Sequence, residues 1–284
     1  MLLNQLLARH AKLHPEKAAV VTADRAVNYA KLDRAVDCTA TYLLDHGLRP
    51  GDRVAMHWPN SIELVTLMLG AFRAGLIAVP IDPRLKEVEI AHVLEHSGAR
   101  ICFSEPALAS LVTLVAVVSQ SPPLAGTPRQ VPEADTDAPT LLLYTSGTTA
   151  QPKGVTHTQR TLFEGARVIA NEDIGPSDIP LSITPISHIL ALVGGLLPAL
   201  FHGTTAVLLK AFRPGDALDA VERYGCTEVA GLPVLIQLMA EEQAVRPRNI
   251  SSLRAIVADG DTVPVRFNNR CMLCSRSRLE RALD

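Results

Sequence analysis

With 284 residues, 48% of them apolar, the chain is long enough for one or two compact units and too apolar to stay disordered. A formal net charge of −2 gives no basic excess to draw it to nucleic acid. No apolar run reaches the roughly 18 residues of a membrane span, and Met1-Leu2-Leu3-Asn4-Gln5 lacks the basic start of a secretory leader, so a cytoplasmic protein is expected.

Leu2, Leu3, Leu6, Leu7 and Leu13 follow helical spacing, and Pro15 stops that helix. Ala18 to Thr22 read as a strand. Tyr29 to His46 form an amphipathic helix with Gly47 as its stop. Val54 to Trp58 is a strand, and Asn60 with Glu63 three residues later predicts a capping box for a helix reaching Gly75. The alternation continues through strand Ile77 to Ile81, helix Lys86 to Ser97 and strand Ile101 to Phe103. Strand and helix at such short spacing predict βαβ units and mostly parallel sheets flanked by helices, an α/β fold. Cys38 and Cys102, and Cys226 further on, lie in apolar surroundings and read as buried thiols in a reducing compartment.

Ser119 to Pro139 is rich in Pro, Ser, Thr and Gly and reads as an exposed connector. Leu141 to Tyr144 then form a short buried strand, and Thr145 to Gly154 are expected to be a loop. That loop offers hydroxyls from Thr145, Ser146, Thr148 and Thr149, backbone amides around Gly147, and the cation of Lys153. Directed donors with one point charge suit a polyphosphate. It is not a Walker A loop. Pro152 stands where that motif needs a Gly, and Gly154 where it needs the hydroxyl for Mg²⁺.

After the loop, a helix beginning at Thr158 or Thr161 is expected to run through Phe163, Ala166 and Ile169. Strand Leu181 to Thr184 ends in Pro185-Ile186-Ser187-His188, ahead of a small-residue helix with Gly194-Gly195. Strand Ala206 to Leu209, helix Pro214 to Tyr224, strand Glu228 to Ala230, helix Val234 to Glu241 and strand Leu253 to Ala258 complete the pattern. Cys271 and Cys274 lack the further ligands a zinc site needs and read as an incidental pair; no metal-ligating residue is assigned.

The run Tyr144-Thr145-Ser146-Gly147-Thr148-Thr149-Ala150-Gln151-Pro152-Lys153-Gly154-Val155 resembles the phosphate-loop signature of the adenylate-forming, AMP-binding superfamily, with Ala150 in place of the usual Gly. The resemblance implies the large N-terminal domain of an acyl-CoA synthetase-like ligase. Such enzymes use ATP with Mg²⁺ to turn a small-molecule carboxylic acid into an acyl-adenylate, and pass the acyl group to coenzyme A. It implies that Thr145, Ser146, Gly147, Thr148, Thr149, Lys153 and Gly154 meet the nucleotide, Lys153 also serving catalysis. His188, in a Pro-x-x-His-like element, would border the acid. Gly260 would match the second residue of a Gly-Gly pair near the adenine, with Asp259 replacing the first.

The resemblance covers residues 1–264, expected to be a partial AMP-binding domain. Residues 265–284 are expected to be an anomalous tail, since arginines crowd there and strand alternation stops. The family's Y-G-x-T-E and T-G-D elements and its C-terminal lysine-bearing domain have no counterpart. The expectation is therefore a shortened enzyme; the alternative is a non-catalytic remnant that at most binds nucleotide. Which acid is used, and the oligomeric state, are not legible.

Overall fold

The computed structural model describes residues 3–129, 131, 134–145 and 152–258. In chain order the elements begin with α1 (Leu3–Leu13), β1 (Ala18–Val21), β2 (Ala26–Asn28), α2 (Tyr29–Asp45), β3 (Arg53–His57) and α3 (Ile62–Arg73). Next come β4 (Ile77–Ile81), α4 (Glu87–Ser97), β5 (Ile101–Ser104), a 3₁₀ turn (Pro106–Leu111), β6 (Ala116–Val118), β7 (Pro139–Thr145) and β8 (Lys153–Thr158). Then follow α5 (Gln159–Glu172), β9 (Pro180–Ser182), α6 (Ile189–Ala191), a π turn (Leu192–Leu196), α7 (Leu197–His202) and β10 (Ala206–Leu208). The described chain closes with α8 (Pro214–Tyr224), β11 (Glu228–Gly231), α9 (Pro233–Val245) and β12 (Ala255–Ala258).

Two compact units divide these elements. One holds the described residues through Glu16 together with Val27–Gly165; the other holds Lys17–Ala26 and the described residues from Ala166 onward. The fold is α/β, as the alternation predicts.

In the first unit the sheet order is β6-β5-β3-β4-β7-β8. β3 pairs in parallel with β4 on one side and β5 on the other, so the connections diverge at β3. Ala55, Val79, Ile81 and Cys102 from the strands bury against Ile90, Val93 and Leu94 of α4. Helix α3 lies close to α2 because Gly70 has no side chain; a Cβ there would sit 2.8 Å from Thr39 Cγ2. The predicted capping box at Asn60 is replaced by a cap one residue on. Ser61 Oγ accepts the Leu64 amide at 3.2 Å, while Asn60 is buried. The shorter Ser side chain can reach back to its own helix from that position.

The second sheet has the order β12-β11-β9-β10-β1-β2. Leu181, Val207, Val229 and Ile256 share one face by register and pack on Leu218 and Val221 of α8 and Ile236 and Met239 of α9. The other face of β9 carries Ser182, whose Oγ would lie 2.8 Å from a Cβ at Gly195. That contact accounts for a glycine inside the helical run from α6 to α7.

One expectation fails on the strand reading. Thr145 and Gly154 bound no simple loop: β7 extends through Thr145, and Lys153 and Gly154 begin β8, which returns antiparallel to β7. The alternation of strands and helices points to parallel pairing, and the dense Thr and Gly of this stretch conceal a hairpin. Cys38, Cys102 and Cys226 are buried and unbridged, and burial pushes the Cys102 and Cys226 thiols up to about 12. Residues 265–284, read as a tail, lie outside the described residues.

Candidate functional site

The β7–β8 register sets the geometry of the first candidate group. Thr145 pairs with Lys153, and Tyr144 with Gly154. Residues directly opposite in an antiparallel pair share a face, with Cβ atoms about 5 Å apart. The Thr145 hydroxyl and the Lys153 ammonium therefore start side by side where β7 ends and β8 begins, and both residues are exposed. Tyr144 and Leu142 occupy the opposite face and pack toward the α4 cluster. Gly154 sits beneath them: a Cβ there would be 2.9 Å from Leu142 Cδ1 and 3.3 Å from Tyr144 Cζ. Packing alone thus favours glycine at 154, whatever its amide does. Ser146, Gly147, Thr148 and Thr149 lie outside the described residues, as does Gly260.

Sequence reasoning gave α4 only a packing role, yet it reaches both arms of the hairpin. His92 Nε2 is 3.1 Å from the Pro152 carbonyl, and His96 Nδ1 is 2.8 Å from the Tyr144 hydroxyl. Their i, i+4 spacing puts both on one helix face, and this is the signal that could have found them.

His188 belongs to the second unit. It precedes α6 in extended backbone, half-buried, and its amide donates to the Pro185 carbonyl at 3.0 Å. Its carbonyl accepts the Leu192 amide at 3.2 Å. The segment follows the carboxyl end of β9, which pairs in parallel with β10 on one side and β11 on the other. Ligands of open parallel sheets gather outside the carboxyl ends of strands at such switch points. The π turn that follows His188 is a departure often found near functional sites.

The amino ends of the same strands carry a structural network instead. Asp178 accepts from Arg254 Nε at 3.1 Å and Nη2 at 2.8 Å, from Thr227 Oγ1 at 2.7 Å and from the Gly175 amide at 2.7 Å. Burial alone would raise Asp178; these bonds and the Arg254 charge hold it below the ordinary carboxylate value. Glu228 beside it is different. Burial pushes its carboxyl up to about 8, Asp173 and Asp178 add to the rise, and Arg254 opposes it. Among the described residues no three His, Cys, Asp or Glu side chains are grouped to hold a metal ion.

Comparison with known proteins settles the family. The AMP-binding enzyme family matches residues 7–279. The chain belongs to that family. It is 34% identical over 277 residues to a feruloyl-CoA synthase from an Amycolatopsis species, covering 92% of this chain and 55% of that protein. A fatty acid–acyl-carrier-protein ligase of Streptomyces coeruleorubidus is 31% identical over 280 residues, covering 91% of this chain and 53% of that one. The chain thus spans about half the length of the curated relatives it matches. Among solved structures, an o-succinylbenzoate coenzyme A synthetase from Bacillus subtilis in complex with AMP aligns with a TM-score of 0.78 at 27% identity, over 90% of this chain and 67% of that one.

Proposed function

We propose that this chain acts in the ATP-dependent activation of a small carboxylic acid to an acyl-adenylate, with transfer of the acyl group to coenzyme A. The observation that carries the reading is the pairing of Thr145, the last residue of β7, with Lys153, the first of β8, in a chain of the AMP-binding family. A carboxylate is a poor electrophile. In the first step its oxygen attacks the α-phosphorus of ATP and pyrophosphate leaves. In the second, the thiol of coenzyme A attacks the acyl carbon and AMP leaves.

Phosphate charge must be neutralised and the acid oxygen held in line. Lys153 supplies a point charge to the phosphates and Thr145 a directed hydroxyl. Ser146, Gly147, Thr148, Thr149, the Gly154 amide and Gly260 would add donors and close backbone approach. Mg²⁺ would arrive with ATP. His188, at the carboxyl end of β9, would border the acid.

The test is ATP–pyrophosphate exchange with Mg²⁺ over a panel of aliphatic and aromatic acids. Acid-dependent exchange that Lys153→Ala abolishes supports the reading. His188→Ala should raise the acid concentration needed for half-maximal exchange and leave the ATP requirement unchanged. Nucleotide binding without acid-dependent exchange would favour the alternative, a chain that binds nucleotide and does no chemistry.

A further inference from the structure

We propose that His92 and His96 are positioning residues that clamp the two arms of the β7–β8 hairpin and so hold Lys153 beside Thr145. The inference rests on the reading of Lys153 and Thr145 as phosphate contacts.

Among the described residues β8 lies at the edge of its sheet and pairs with β7 alone. Its residues are exposed or half-buried throughout, so little packing holds it down. An edge strand held by ladder bonds alone has little else to fix its terminal residues, and Lys153 is the first residue of β8. The ladder is weakened further at that end because Pro152, the preceding residue, has no amide to donate.

His92 supplies what is missing. A carbonyl can only accept, so the 3.1 Å contact has His92 Nε2–H donating to the Pro152 oxygen. The bond fixes the peptide plane immediately before Lys153. One helical turn on, His96 meets the hydroxyl of Tyr144, the residue before Thr145, at 2.8 Å, and its ring stands edge-on to the Tyr144 ring with centroids 5.6 Å apart. The His92 and His96 rings are 5.7 Å apart and so act from one face of α4. That helix is anchored by Ile90, Val93 and Leu94, each nearly fully buried. A rigid helix therefore grips each arm one residue away from the pair that would meet the phosphates. Neither histidine need touch the nucleotide.

Amide exchange and Mg·ATP affinity would be measured on the parent, His92→Leu, His92→Gln and His96→Phe. Leu keeps bulk without a donor, Gln restores an N–H donor, and Phe keeps the ring without its nitrogen. Loss of one net hydrogen bond corresponds to about fivefold. In His92→Leu and His96→Phe, exchange at Lys153, Gly154 and Val155 should quicken about fivefold while Ala55 and Met56 of β3 stay as in the parent, and His92→Gln should restore the slow rate. The Kd for Mg·ATP should rise about fivefold in His92→Leu and return in His92→Gln. Faster exchange with unchanged affinity would make the pair merely structural and overturn the proposal, as would unchanged exchange. If the parent binds no Mg·ATP, the nucleotide reading falls, and the exchange pattern alone decides whether the clamp exists. If His92→Leu fails to fold, His96→Phe carries the same comparison.

Discussion

Lys153 and its neighbours separate what a residue does for the fold from what it offers a ligand. Its side chain is exposed at the first residue of β8. Lys153→Ala should therefore change stability by less than about 0.5 kcal/mol, as other exposed substitutions do. A hydrogen bond to a charged group contributes about 1.5–3 kcal/mol, so Mg·ATP affinity should fall about tenfold or more. Calorimetric titration with parallel urea denaturation checks both halves. Equal affinity in mutant and parent would remove Lys153 from the site. Gly154 is the opposite case: the close Leu142 and Tyr144 side chains already favour a glycine there, so its place in a phosphate-loop signature is not by itself evidence of a phosphate contact.

At the scale of elements, the crossing of α2 and α3 makes a sharper demand than helix propensity does. Gly70 lies in the middle of α3, where Ala would gain about 1 kcal/mol of intrinsic helix preference. A Cβ there would meet Thr39 Cγ2 at 2.8 Å, Thr39 Cβ at 2.9 Å and the Ala40 backbone nitrogen at 3.2 Å. Backbone cannot swing aside, and overpacking of this kind costs about 1–3 kcal/mol. Gly70→Ala should thus lower the urea midpoint; a raised midpoint would mean the helices separate at little cost. The same element-level physics explains what could be read from sequence. Apolar periodicity and glycine stops announced α2, α3, α4, α8 and the parallel strands between them, because each buries one face. The hairpin was concealed because β8, exposed along much of its length, has no apolar alternation to announce it. The Thr145–Lys153 group was legible as an ordered motif, whereas His92 and His96 were not: each looks like an ordinary polar residue on a helix until the hairpin folds back against it. His188 could be named from the motif, but its position after the switch-point strand required the topology.

On the scale of the whole molecule, each unit buries an ionisable group whose pKa burial shifts, a histidine in the first and a carboxyl in the second. His57 in the first unit is fully buried with neither ring nitrogen hydrogen-bonded. Burial lowers its pKa, with the Asp82 and Glu105 charges opposing. Below the ordinary value of 6.5 the unfolded chain takes up a proton that the folded unit resists, so that unit loses stability as pH falls through this window. Glu228 in the second unit is raised from 4.5 to about 8. Across that window the unfolded chain has released a proton that the folded unit retains, so the second unit loses stability as pH rises, levelling off above about 8. One group can contribute at most about 1.4 kcal/mol per pH unit. The two units should therefore respond to pH in opposite directions. The single tryptophan, Trp58, is buried in the first unit and reports on it alone. Its urea midpoint should be lower at pH 5.5 than at pH 8, and His57→Leu should flatten that difference. Protection of the Leu181 and Val229 amides, corrected for intrinsic exchange, should instead be greater at pH 5.5. Glu228→Gln, which keeps the shape and carries no charge, should raise protection at pH 8 and remove most of the slope. Parallel shifts of the Trp58 signal and the Val229 protection, unaltered by either substitution, would mean that other groups govern the pH response and that neither buried side chain holds the protonation state assigned to it.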